Sequence, residues 1–203
     1  MTDIRHIVFD IGKVLIHYDP ELPYLDLIPD AERRAWFLSE VCTNEWNVEQ
    51  DRGRTWEDAE ALLVERHPGE ERLIRAFRQR WHEMVPHAHD ETVAIMLGLI
   101  DAGYDVTLLT NFAADTFAEA RRRYDFLDRP RGVTVSGEVR HIKPDAEIFR
   151  IHAQTFGLTP AETLFIDDSP KNVEGAHKAG WQAIRFTDAA TLEKDLERLG
   201  VRR

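Results

Sequence analysis

Three aspartates stand where a chain could present them for chemistry. Asp10 lies near the end of the apolar run HIVFDI (6–11), and Asp167 and Asp168 close TLFIDD (163–168). Adjacent buried acids repel one another unless a cation or a proton intervenes. Joined by Asp10 they would form an oxygen-rich site, and hard oxygen donors with a few waters suit Mg2+. Asp168 has a second reading as the cap of the helix that follows it, a common place for aspartate. Lys143 precedes Pro144 at the start of a helical pattern, and a lysine beside a helix N-terminus makes an anion site. Thr110 and Asn111 end YDVTLLTN with a hydroxyl and an amide, the donors an oxyanion needs. Taken singly, these last residues are as readily a turn and a surface lysine.

The elements that would position these groups are short and apolar. The runs 6–11, 104–110, 163–168 and 181–186, with a weaker one at 132–139, are continuous rather than alternating, as strands covered on both faces are. Helical patterns separate them. Residues 90–103 run from Asp90 as cap to Gly103 as stop. Residues 143–157 place Pro144 in the first turn and end at Gly157. Residues 169–180 open at Ser169, and 188–200 close the chain. Strands alternating with helices predict a Rossmann-like α/β core with a parallel sheet. Ligands of such sheets sit at the carboxyl ends of the strands, where Asp10, Thr110, Asn111, Asp167 and Asp168 fall.

Residues 19–88 differ. They read as helix after helix, with starts at Asp30, Thr43 and a Thr55–Asp58 capping box, and no convincing strand. The expected organisation is a core of residues 1–18 and 89–203 carrying an inserted all-helical cap, 19–88, above the carboxyl edge of the sheet, a lid position. On the cap, Trp46 and Gln50 are four apart and share a helix face, and Arg52 precedes Gly53 at a turn. All three are candidate substrate contacts. Their alternatives are packing for Trp46 and pairing with a cap acid for Arg52. His67, His82, His87 and His89 lack the spacing of a helical zinc site.

The 203 residues carry a net charge of −11, which argues against nucleic-acid or membrane binding. No apolar run approaches the roughly 18 residues of a membrane helix, and the N-terminus is not a signal peptide. With a single cysteine, Cys42, the expected location is cytoplasmic, as a monomer or a homodimer. In that negative field a phosphorylated substrate needs a local cation. Lysines are few: Lys13, Lys143, Lys171, Lys178 and Lys194.

Taken in order, VFDIGKVL, LLTN, HIKPDAEIF and LFIDDSPKNVEGAHKAG resemble the four motifs of the haloacid dehalogenase-like (HAD) hydrolase superfamily, in its phosphatase branch with a small helical cap and a D-x-G first motif. The resemblance spans essentially the whole chain. It implies a Mg2+-dependent phosphatase acting on a small phosphorylated metabolite such as a sugar phosphate. It makes Asp10 the nucleophile, forming an aspartyl-phosphate, and a metal ligand. It gives the Gly12 carbonyl and Asp168 to the metal directly and places Asp167 close by. Thr110 and the backbone at Asn111 would hold phosphoryl oxygens, Lys143 would neutralise charge, and Asn172 would steady the metal loop.

The chain departs from that pattern at Gly12. Most phosphatases of the superfamily carry an aspartate there, which protonates the leaving oxygen and then deprotonates the attacking water, help typically worth roughly 10²–10⁴-fold. Three explanations stand: a substrate with a better leaving group, a substitute among His17, Asp19, Lys13 or a cap residue, or a different activity. Dehalogenases of the superfamily also lack the second acid, because a halide leaves without a proton. Asp167 and Asp168 oppose that reading, since a haloacid's carboxylate would meet their charge. A catalytically idle binding or regulatory protein is the remaining alternative.

Overall fold

The computed structural model describes residues 3–202. Its centre is β1 (His6–Phe9), the strand that delivers Asp10. Then come the helices α1 (Tyr24–Leu27), α2 (Ala31–Trp36), α3 (Asn44–Asp51), α4 (Trp56–Arg66), α5 (Glu71–Gln79) and α6 (Trp81–Met84), with a π-helical turn at Phe37–Val41. The rest of the chain alternates: α7 (Asp90–Asp101), β2 (Asp105–Thr110), α8 (Ala114–Arg123), β3 (Val133–Val135), α9 (Ser136–Val139), α10 (Ala146–Phe156), β4 (Thr163–Asp167), α11 (Pro170–Lys178), β5 (Gln182–Arg185) and α12 (Ala189–Arg198).

All five strands pair in parallel, in the order β3-β2-β1-β4-β5. Phe9 lies opposite Leu108 on one side and Ile166 on the other. That register brings Asp10, the end of β2 and Asp167 to the same edge. It also sets them where the chain turns from building one side of the sheet to building the other, the usual ligand position of such folds. Both faces of the sheet are covered. Ile7 and Phe9 pack into one apolar layer, while Val8 joins Leu109, Phe149, Phe165 and Trp181 on the opposite side. This explains the continuous apolar runs.

Several boundaries differ from the sequence expectation. The segment 132–139 is strand only to Val135, after which Ser136–Val139 forms a helical turn. Gly137 allows that turn, because a Cβ there would lie 2.8 Å from both the Ala114 nitrogen and the Phe112 oxygen. Asp90 is the first residue of its helix, and His89 occupies the cap position. Pro144 precedes α10 rather than entering its first turn, since Asp145 is the cap. Within 19–88, the last helical stretch is two helices, α5 and α6, separated at Arg80. Caps at Asp30, Thr43 and Thr55 are formed as expected, each side chain accepting from a backbone N–H three residues on.

The helical segment between β1 and α7 joins the sheet through two linkers that run side by side. The His17 N–H donates to the His87 carbonyl, Asp19 N–H to Met84, and His89 N–H to Leu15. The His17 and His87 rings stack at 4.8 Å. Further ties bind this segment to α8 and to the residue before α10: the Trp56 indole donates to Asp115, Arg78 pairs with Asp115 and Glu119, and Arg52 reaches Asp145 at 3.2 Å.

One core group makes the fold sensitive to acid. His152 is wholly buried, with one ring nitrogen 2.9 Å from the Thr107 hydroxyl and the other 2.8 Å from that of Thr134. Burial, chiefly, pushes its pKa down to about 3. The unfolded chain takes up this proton near pH 6.5 and the folded chain does not. The stabilisation is therefore complete above about pH 6.5 and is lost as pH falls toward 3. We expect His152→Gln to flatten the pH dependence of unfolding between pH 4 and 6 by up to about 1.4 kcal/mol per pH unit, one proton's worth. Urea titrations of both proteins across that range check it.

Candidate active site

Asp10 is buried just beyond β1, and its Oδ1 accepts the Ile11 backbone N–H at 2.7 Å. The same oxygen lies 2.7 Å from Lys143 Nζ, which lies 2.7 Å from Asp167 Oδ2 and donates to the Leu109 carbonyl at 3.0 Å. Lys143 thus sits between two buried acids, with three acceptors around its ammonium. Two contacts fix its backbone. The Asn111 amide donates to the Lys143 carbonyl at 3.0 Å, and the Lys143 N–H donates to Asn111 Oδ1 at 2.8 Å. The residue after β2 therefore sets the position of the lysine, and its side chain is committed to that task. Thr110, at the end of β2, is buried beside it.

Asp167 is held from the α11 side. Its Oδ1 accepts the Ser169 N–H at 2.8 Å, and the Asn172 amide lies 3.0 Å from each carboxylate oxygen. Asn172 thereby ties α11 to Asp167. Helix α11 in turn presses on the lysine. A Cβ at Gly175 would lie 2.8 Å from the Pro144 oxygen and 3.1 Å from the Phe149 ring. Gly175→Ala should push Pro144, and Lys143 with it, out of place. We expect a cost of about 1–3 kcal/mol, as for overpacked cores, and a fall in turnover. Thermal melting beside an activity assay reads both.

The electrostatics follow from burial. Desolvation, aided by Asp167 and opposed by Lys143, pushes the Asp10 carboxyl up to about 7. Burial alone would pull the Lys143 ammonium down, but Asp10 and Asp167 outweigh it and hold it above its usual range. Burial and Asp167 also raise Asp168. Such raised acids mark a place for a cation. Among the described residues, Asp10, Asp167 and Asp168 form the one group of three metal-ligating side chains whose donor atoms all lie within 4.8 Å of one another. Three carboxylates at that spacing fit Mg2+, a hard ion that prefers oxygen and keeps several waters. Gly12 lies at the same edge and lines the adjoining cavity.

That cavity, about 380 Å³, opens between the sheet edge and the helical segment. From the core it is lined by Gly12, Lys13, Asn111, Lys143 and Asp168, and by Lys171 of α11. Helix α3 contributes Asn44, Asn47, Val48 and Asp51, one face at the i, i+3, i+4, i+7 spacing. Trp56, Trp81 and Phe112 supply apolar walls.

The structure thus brings Asp10, Gly12, Thr110, Asn111, Lys143, Asp167 and Asp168 to one edge and turns the three cap candidates away from the cavity. Trp46 is 8% exposed and donates its indole N–H to the Ala59 carbonyl at 3.1 Å. Gln50 is 1% exposed and bonds the Trp46 carbonyl and Arg54. Both tie α3 to α4 and its approach. Arg52 pairs with Asp145 and Glu49. Sequence reasoning missed the opposite face of α3, although Asn44, Asn47 and Asp51 make a polar stripe opposite the apolar Trp46. His17 and Asp19 do not line the cavity, while Lys13 does.

The chain belongs to the haloacid dehalogenase-like hydrolase family, whose model matches residues 4–180. It is 25% identical to a sesquiterpene phosphatase of Aspergillus oryzae, over 98% of this chain and 97% of that protein. It is 24% identical to a D-ribitol-5-phosphate phosphatase of Bacteroides thetaiotaomicron, over 95% and 97%. A HAD family enzyme of Bacteroides thetaiotaomicron, solved as a magnesium complex, superposes with a TM-score of 0.75 at 21% identity, covering 97% of this chain and 100% of that one. The fold is shared along the whole length. Among the described residues no helix is long and apolar enough to cross a membrane.

Proposed function

We propose that the protein is a Mg2+-dependent phosphomonoesterase that cleaves a small phosphorylated metabolite, of the sugar or polyol phosphate class, through an aspartyl-phosphate on Asp10. The observation that carries this reading is the Lys143 ammonium, 2.7 Å from both Asp10 and Asp167, in the wall of the cavity. Phosphoryl transfer needs little beyond positioning and charge neutralisation, and this cluster provides both. The near-full-length phosphatase relatives support the same class.

In this reading Asp10, Asp167, Asp168 and the Gly12 carbonyl hold Mg2+. When bound, it neutralises the acids and the phosphoryl oxygens. The Asp10 carboxylate, anchored by the Ile11 N–H, attacks phosphorus, and Lys143 balances its charge before and after transfer. Thr110 and the Asn111 backbone hold phosphoryl oxygens. A cavity of about 380 Å³ lies at the small end of the ligand-pocket range, which favours a metabolite over a macromolecule. The amides of Asn44 and Asn47 offer both donors and acceptors to a polyol. Residues 19–88 act as the cap that closes the site.

A panel of sugar, polyol and aryl phosphates, with Mg2+ or with chelator, tests the proposal beside a halide-release assay on 2-haloacids. We expect phosphate release that chelation abolishes. Halide release without metal, and no phosphate release, would replace this reading with dehalogenation.

A further inference from the structure

Gly12 provides no carboxyl to carry the leaving group's proton, and the helical segment between β1 and α7 offers one. We infer that Asp51, at the C-terminal end of α3, is the general acid and base of this site, giving its proton to the leaving oxygen and then taking one from the attacking water. This rests on the phosphatase reading and adds a catalytic residue to it.

The cavity is lined by six titratable groups: Lys13, Tyr18, Asp51, Lys143, Asp168 and Lys171. Asp168 belongs to the metal cluster, and Lys143 is held between two acids. Burial pushes the Tyr18 phenol far above its ordinary range, with Asp51 and Asp19 adding to it. Lys13 and Lys171 are cations suited to the charge of a phosphate. Among the described residues, Asp51 is the only carboxyl of the cavity wall outside the metal cluster. It comes from α3, while Lys143 and Asp168 line the same cavity from the core. A leaving group displaced in line by Asp10 departs away from that core acid. The Ala113 backbone N–H, just before α8, lies close to the Asp51 carboxyl. Burial, chiefly, raises it to about 7, with Asp10 adding to this and Ala113 and Lys143 opposing. Both protonation states are thus available at neutral pH, the property an acid–base catalyst needs.

The step balances as follows. Asp10 forms the new bond to phosphorus, the phosphorus–leaving oxygen bond breaks, and its electron pair stays on that oxygen. The Asp51 carboxylic acid donates its proton there, releasing the alcohol and becoming a carboxylate. Water then attacks phosphorus, its proton returns to Asp51, and the bond to Asp10 breaks to release phosphate.

The test compares wild type with Asp51→Asn, with Mg2+, on an alkyl phosphate such as glycerol phosphate and on p-nitrophenyl phosphate. Asparagine keeps the volume and removes a half-buried carboxyl, and thermal melting confirms the fold. For the alkyl ester we expect kcat/KM to fall by roughly 10²–10⁴-fold. For the aryl ester, which needs no acid, kcat/KM should fall less than about tenfold, while slowed hydrolysis produces a burst of nitrophenol. Gly12→Asp in the Asp51→Asn background should restore alkyl turnover, since a Cβ at Gly12 meets nothing within 4 Å. An equal fall in kcat/KM for both esters, or no fall, overturns the role of Asp51 and leaves the phosphatase reading standing. A wild type that releases no phosphate from any ester overturns both.

Discussion

Asp10→Asn is expected to reduce phosphate release by roughly 10⁴–10⁶-fold, the range for deleting the nucleophile or its partner from a covalent hydrolase. The amide keeps the shape of the carboxylate but cannot form the phosphoryl bond. Structural damage should not account for the loss. Asp10 is buried, shares Lys143 with Asp167, and is pushed up to about 7 mainly by burial. The charged form therefore costs the metal-free fold stability near neutral pH, and a neutral isostere removes that cost. Metal-free Asp10→Asn should melt at or above the temperature of metal-free wild type. Steady-state assays beside thermal melts separate the two effects, and an inactive protein that also melts well below wild type would point to a structural role.

Lys143→Met should lose both activity and stability. Its Nζ serves two carboxylates and the Leu109 carbonyl, and the side chain is 1% exposed. Methionine fills much of the volume and leaves two buried acids facing each other without a cation. Breaking a buried ion pair from one side typically costs about 3–5 kcal/mol, which for a chain of this size lowers the melting temperature by roughly 6–20 °C. The sign with pH is distinctive. Without the lysine that holds it down, the Asp10 carboxyl is raised further above its unfolded value, so the variant should recover stability as pH falls from 8 to 5. Melting curves across that range check it, and a deficit independent of pH would mean that packing, not charge, is what the lysine supplies.

The core of this site was readable because strands carry their own register. Once 6–11, 104–110 and 163–168 are taken as neighbouring parallel strands, Asp10, Thr110 and Asp167 fall at one edge with no further information. Lys143 was readable in type, but its exact position depends on the Asn111 amide clamp and the close passage of Gly175, contacts far apart in sequence. The helical segment between β1 and α7 resisted for a different reason. Trp46 and Gln50 share a face of α3, and nothing local says which face meets the core. The indole was taken into the packing against α4, and that turned Asn44, Asn47 and Asp51 to the cavity. A single acid near a helix end has no local signature. Asp51 acquires its meaning only where α3 meets the loop before α8. The short strand at Val133–Val135 was overextended in the sequence because Val-rich segments read as strand even where a glycine turns the chain.

The covalent step can be observed directly. Wild-type protein with Mg2+, mixed with a phosphorus-labelled aryl phosphate and quenched in acid within milliseconds, should yield up to one labelled phosphoryl group per chain. That label should be stable in acid, released by alkali or hydroxylamine as an acyl phosphate is, and confined to the peptide that carries Asp10. A burst of aryl alcohol with no labelled protein, or a label on any other residue, would contradict an aspartyl-phosphate on Asp10.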